Sequence, residues 1–81
     1  MDVTVGTVFE MRFVDRLPGV VAHSTVIRDV WLRAKVVRLN RRCRYEIVLV
    51  DAADKPLDSR RYWTATPSWF DNPRHARPVA Q

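Results

Sequence analysis

The chain has one cysteine and two histidines among its 81 residues, which leaves little material for several kinds of site. The single cysteine, Cys43, excludes an internal disulfide and fits a reducing compartment, so we expect a cytoplasmic protein. His23 and His75 lie too far apart for the paired spacing of a structural zinc site, so we expect no metal. No apolar run approaches the roughly 20 residues that span a bilayer, and we expect no membrane partner.

Patterns typical of catalysis are also scarce. No glycine-rich phosphate loop is present, and Asp51, Asp54 and Asp58 surround a turn, where solvated carboxylates are common. Cys43 with His23 is the one nucleophile pair to consider, but tight turns seldom exclude water. We therefore expect no enzyme, no catalytic residues and no cofactor.

The composition predicts one small folded domain. Hydrophobic residues make up 47% of the chain and charged residues 28%, close to the averages for globular domains. A second domain would need about 50 further residues. We expect a domain over residues 1–70 and a mobile tail over 71–81 that contains prolines and basic residues.

The positive charge is concentrated in one segment. Residues 28–44 contain seven basic residues and one acidic residue, whereas the segments on either side are close to neutral. Nearly all the basic residues of the chain are arginine, which binds phosphates and carboxylates through two parallel hydrogen bonds.

Alternating apolar residues predict strands on both sides of this segment. Val3–Phe13 and Arg44–Asp51 alternate with period 2, residues 20–27 are β-branched and extended, and Leu57–Ala65 can return antiparallel with Tyr62 and Trp63 on opposite faces. We expect turns at residues 15–19, 28–29, 40–43 and 52–56. The predicted fold is all-β, a small five-stranded antiparallel barrel of SH3-like or OB-like type.

Residues 25–39 decide the fold class. As a helix over residues 25–38 they would carry one apolar stripe and give an α+β fold, which is the alternative. As a strand from Val30, the even positions Val30, Leu32, Ala34 and Val36 form one apolar face. The frequent valines favour the strand.

The residues WLRAKVV (31–37), followed by YEIVLVD (45–51), resemble the strand pair of Tudor-type SH3-like barrels. In that family a tryptophan followed by Arg-Ala-x-Val leads through a short hairpin into an alternating strand that ends in Asp. The resemblance covers residues 30–55 and implies a small barrel. Ala52 stands where the family places an aromatic residue of its cage for methylated side chains, so the resemblance implies the fold without that ligand.

The basic hairpin predicts a small nucleic-acid-binding accessory protein that contacts the phosphate backbone of DNA or RNA. Cations on one ridge attract phosphates and release counterions, and neighbouring aromatic rings can stack unpaired bases. The alternatives are an acidic protein partner for the same ridge, or a solvated face with no ligand. The predicted nucleic-acid site comprises Arg33, Lys35, Arg38, Arg41, Arg42 and Arg44, with Trp31 and Tyr45 as stacking surfaces.

Four aromatic residues near the end of the chain have two interpretations. They can close one end of a small core, or they can form an exposed patch for another protein or a second copy of the chain. In the second case the protein is an interaction module or a homodimer. The residues are Tyr62, Trp63, Trp69 and Phe70.

Overall fold

Five antiparallel strands form one sheet in the computed structural model, which describes residues 1–19, 25–58 and 60–79. In chain order they are β1 (Val8–Pro18), β2 (Thr25–Leu39), β3 (Tyr45–Leu49), β4 (Trp63–Ala65) and β5 (Ala76–Pro78), with a 3₁₀ helix at Pro67–Asp71. Their order across the sheet is β4-β3-β2-β1-β5. The predicted all-β class with five antiparallel strands is confirmed. In the described ranges no ladder joins β4 to β5, so the sheet is open rather than closed into a barrel.

The strand β2 is the longest element, and the alternative of a helix over residues 25–38 is wrong. Its fifteen residues include six that are β-branched, which favours extended backbone. It pairs with β1 from Val8↔Lys35 to Pro18↔Thr25 and with β3 from Ala34 onward. Hydrogen bonding of β2 to both β1 and β3 stabilises the strand more than burial of one apolar stripe would have stabilised a helix.

The core lies on one face of the sheet, where Phe9, Ala34, Val36 and Ile47 are fully buried. The 3₁₀ helix covers this face with Phe70, whose ring packs edge-on against Phe9 with the ring centroids 5.3 Å apart. Residues paired across β1 and β2 share a face, so Glu10 and Arg33 lie on the opposite, outer face. That outer face carries the charged residues.

A β-bulge at Val37 decides which face Arg38 occupies. Val36 pairs with Ile47, but the next pair is Arg38 with Glu46, so Val37 is an extra residue on β2. Without it, Arg38 would lie opposite Tyr45 on the core face. The bulge instead places Arg38 on the outer face.

The start of β1 differs from the prediction of a strand over Val3–Phe13. The strand begins at Val8, because Gly6 adopts a φ of 100° and the Thr7 N–H donates to the Thr4 carbonyl, which closes a turn. The predicted turns at 40–43 and 52–56 are confirmed.

The expected turns at 15–19 and 28–29 are wrong, because β1 continues as a paired strand through residue 18 and β2 is paired at residues 28–29. Cross-strand ion pairs reinforce the ladder, Arg12 with Asp29 at 3.0 Å and Arg28 with Asp15 at 3.2 Å. Pro18 is the last residue of β1. Of the segment 20–27 that was expected to be extended, residues 25–27 belong to β2 and residues 20–24 lie outside the described residues.

The paired residues 14–18 and 25–29, here called the arm, project beyond the rest of the sheet. The strand β5 pairs with β1 only from Phe9 to Met11, and within the described residues no third strand reaches the arm. The molecule is 47 Å long but only 28 and 26 Å across. Ile27 on the arm is 66% exposed.

The last third of the chain forms shorter strands than expected. Of the described residues of the predicted strand Leu57–Ala65, Trp63–Ala65 form a ladder with β3, and the Leu57 N–H donates to the Leu49 carbonyl at 3.0 Å. Within residues 71–81, expected to be a mobile tail, Ala76–Pro78 instead pair with β1, and Ala76 is buried in the core. Residues 80–81 lie outside the described residues.

Candidate nucleic-acid interface

The turn between β2 and β3 is a compact loop that carries three arginines. The Asn40 side chain accepts hydrogen bonds from the backbone N–H groups of Arg42 and Arg44, at 2.9 and 3.1 Å, which fixes the loop. Cys43 takes a φ of 58°, so the chain reverses at this point. Arg41, Arg42 and Arg44, here called the tip arginines, are exposed and make no ion pair within the described part of the chain.

Arg38 lies behind the loop and is held by Glu46. Its Nε and Nη2 donate to Glu46 Oε2 at 3.2 and 2.7 Å. These hydrogen bonds, and then the charge of the carboxylate, raise the pKa of the Arg38 guanidinium. The Glu46 side chain is only 12% exposed, whereas that of Arg38 is 68% exposed. Arg38 is therefore a positioned cation that still faces solvent.

Tyr62 completes this region from the other side. Thr64 pairs with Glu46 and shares its outer face, and Tyr62 lies two residues earlier. Trp63 between them packs edge-on against Phe13 on the core face, so the prediction that Tyr62 and Trp63 point to opposite faces is confirmed. Tyr62 is 58% exposed.

These residues surround an open cleft of about 630 Å³. Four arginines and one glutamate line it, so its charge is strongly positive. A concave surface with charges of one sign concentrates the field and attracts anions. We call it the basic cleft, and its lining residues are Arg38, Leu39, Asn40, Arg41, Arg42, Arg44, Glu46, Tyr62 and Thr64.

The rest of the predicted nucleic-acid site lies elsewhere. Arg33 is on the outer face but donates to Asp54 at 2.8 Å. Lys35 shares that face and is half-buried opposite Val48. Trp31 is seven residues from Arg38 along β2, which corresponds to about 23 Å. The predicted ridge is therefore divided, and only Arg38 and the tip arginines meet in one cleft.

Neither predicted stacking surface is freely available. The Arg77 guanidinium lies 4.1 Å from the centroid of a Trp31 ring and covers that face. Tyr45 lies on the core side, where its ring packs edge-on against Phe70 and its hydroxyl donates to the Val3 carbonyl at 3.4 Å.

The four late aromatic residues are similarly divided. Phe70 is buried in the core, and Trp69 packs against Phe70 and stacks on His75. Trp63 is half-buried, which leaves Tyr62 as the exposed member of the group. The sequence predicts Tyr62 at a protein interface, whereas the structure places it beside the arginines of the cleft. The alternation around Trp63 was the signal that could have placed it there.

The described ranges give no support for a metal site, a membrane-spanning helix or a nucleophile pair of Cys43 with His23. No three histidine, cysteine, aspartate or glutamate side chains group there to hold a metal ion, and no helix there is long and apolar enough to cross a membrane. Cys43 is exposed, and His23 lies outside the described residues. Comparison of the chain with protein-family models, curated proteins and solved structures gave no match. The resemblance to Tudor-type barrels stays a prediction.

Proposed function

We propose that the protein binds nucleic acid through the basic cleft and contacts mainly the phosphate backbone. The observation that carries this proposal is the meeting of Arg38 and the three tip arginines around one open cleft. Each guanidinium can donate two parallel hydrogen bonds to a phosphate. Successive phosphates of a nucleic acid match several cations better than a single small anion does.

The ion pair between Arg38 and Glu46 supports this proposal. Because Glu46 holds one edge of the Arg38 guanidinium, the remaining N–H groups have a fixed position from which to meet a phosphate. The tip arginines, in contrast, are exposed side chains on a fixed loop and can adapt to a backbone of varying shape. Lys35 on the same outer face is a further contact, about 10 Å along β2 from Arg38. This arrangement suits affinity without sequence specificity.

A salt titration tests the proposal. Fluorescence anisotropy with labelled single-stranded DNA, duplex DNA and RNA would report affinity at several salt concentrations. Four phosphate contacts on a single strand predict that affinity falls about 50-fold between about 50 and 200 mM salt. An absence of binding to all three at low salt would refute the proposal, and salt-independent binding would indicate an apolar site instead.

We propose self-association through the arm as a second function, because no strand in the described part of the chain pairs with its outer edges and several of its apolar side chains are exposed. Val14, Val26 and Ile27 are all exposed there. Two-stranded ribbons are marginal in water, and an open edge pairs readily with an identical edge across a two-fold axis. The occupant of this surface would be a second copy of the chain.

Light scattering tests this second function. Ile27→Lys should convert a dimer into a monomer, and Leu57→Lys, at an exposed loop position, should not. If the unmodified protein is a monomer at every concentration that can be measured, self-association through the arm is refuted. We place either activity in the cytoplasm, where the exposed thiol of Cys43 would stay reduced.

A further inference from the structure

The position of Tyr62 points to a narrower ligand class for the basic cleft. We propose that its ring stacks an unpaired base, so that the cleft takes single-stranded nucleic acid in preference to duplex. This inference rests on the proposed function, since it assigns a substrate class to the same cleft.

Tyr62 differs from the seven other aromatic residues because its side chain is exposed and can contact a ligand. It alone among them is an exposed large side chain, and no aromatic or cation–π contact involves it within the described residues. The other rings are engaged in the core or, in the case of Trp31, covered by Arg77. An aromatic face of this kind is what single-strand binding proteins offer to bases.

The charges in the basic cleft orient a strand within it. The tip arginines lie at the loop end, whereas Thr64 and Glu46 lie on the sheet and Tyr62 immediately precedes β4. The tip arginines attract phosphate, whereas the Glu46 charge is already paired with Arg38, so the backbone would follow the loop end and the base would turn toward Tyr62. The volume of about 630 Å³ lies within the range of roughly 300–1,000 Å³ for ligand pockets and accommodates a nucleotide unit.

Duplex nucleic acid cannot use this arrangement fully. Its bases are stacked on one another, so their faces are closed to Tyr62 unless a base leaves the helix. A duplex can still place phosphates on the tip arginines. We therefore expect measurable duplex binding that lacks the contribution of Tyr62.

Substitution of Tyr62 separates the contribution of base stacking to the affinity from the contribution of the arginine charges. We would measure anisotropy with a labelled single-stranded DNA, the same sequence as RNA, and the matching duplex. Tyr62→Ala should weaken binding to both single strands by about 5- to 150-fold, and Tyr62→Phe should weaken it by about 2-fold or less, because the ring remains. Duplex affinity should change by about 2-fold or less in both variants. Leu57→Ala, which removes an exposed apolar side chain outside the cleft, is the control.

The outcomes distinguish this inference from the proposed function. Salt-dependent binding that Tyr62→Ala leaves unchanged would overturn the stacking and keep the phosphate contacts. Equal affinity for duplex and single strand would also overturn it, as would an equal loss in Tyr62→Phe and Tyr62→Ala. If one single strand binds and the other does not, that preference identifies DNA or RNA as the ligand, and the loss of affinity in Tyr62→Ala for the strand that binds decides whether stacking contributes. A lack of binding by the unmodified protein would overturn both proposals.

Discussion

The Arg77 guanidinium lies 4.1 Å from the centroid of a Trp31 ring, across the outer face of the sheet. Its Nε also donates to Glu10 at 3.0 Å, so one side chain on β5 contacts β1 and β2. This pair explains two departures from the sequence analysis. It contributes to holding residues 76–78 on the sheet, and it covers one face of Trp31, which was a predicted stacking surface for bases.

Removal of Arg77 should expose Trp31 and loosen β5. Arg77→Ala should increase quenching of tryptophan fluorescence by iodide and reduce the free energy of unfolding by about 1 kcal/mol, from one exposed cation–π contact and one surface ion pair. Arg74→Ala, at an exposed turn position, is the control. If the two variants show the same quenching, Arg77 does not shield Trp31.

Phe70 should be the main support that the 3₁₀ helix gives to the core. It is 1% exposed and packs edge-on against Phe9, Tyr45 and Trp69. Phe70→Ala should reduce the free energy of unfolding by about 3–5 kcal/mol, measured by urea unfolding. Tyr62→Ala should change it by about 0.5 kcal/mol or less. A small effect at Phe70 would mean that the helix contributes little to the core.

The strands around the core were predictable because one buried face imposes period 2. Phe9, Met11, Ala34, Val36 and Ile47 all lie on the face that alternation assigns to them. The ends of the strands were not predictable, because Asp15 and Asp29 are typical of turns. Here the long-range ladder between β1 and β2 keeps them in strands, with cross-strand ion pairs to Arg28 and Arg12, and neither the ladder nor its ion pairs can be predicted from neighbouring residues in the sequence.

The candidate site was predictable only in part, for a related reason. The four arginines of the basic cleft are close in sequence, and the hairpin brings them together. The partnership of Arg38 with Glu46 depends on the bulge at Val37, and that of Arg33 with Asp54 depends on a distant turn. Spacing along the chain reveals neither pair.

The charge of Arg38 should not vary with pH in the usable range. Glu46 raises the pKa of Arg38 in the folded state, so the stabilisation is present below the unfolded pKa of arginine and is lost only above it. That pKa already lies far above neutral. Binding to nucleic acid should therefore be constant between about pH 6 and 9, as measured by anisotropy at fixed salt. A strong decline within this range would indicate that a histidine or another base weaker than arginine contributes.

The bulge at Val37 should be needed for the basic cleft. Deletion of Val37 would make the pairing of β2 with β3 regular and turn Arg38 toward Tyr45 on the core face. We expect a lower urea midpoint and weaker binding of nucleic acid, because a charge enters the core and leaves the cleft. Val37→Ala keeps the extra residue and should retain both properties. Full affinity in the deletion variant would show that Arg38 is dispensable.

The tip arginines should act through their position and not merely through net charge. A triple variant with Arg41→Gln, Arg42→Gln and Arg44→Gln should reduce the salt dependence of single-strand binding, the slope of log affinity against log salt, by about 2. The matched control removes the same charge from exposed sites outside the cleft, with Arg16→Gln, Lys55→Gln and Arg74→Gln. It should retain the slope, because only cations that touch phosphates release counterions from them. Equal losses in the two triple variants, measured by anisotropy over the same salt range, would mean that the whole positive surface attracts nucleic acid and that the basic cleft is not its site.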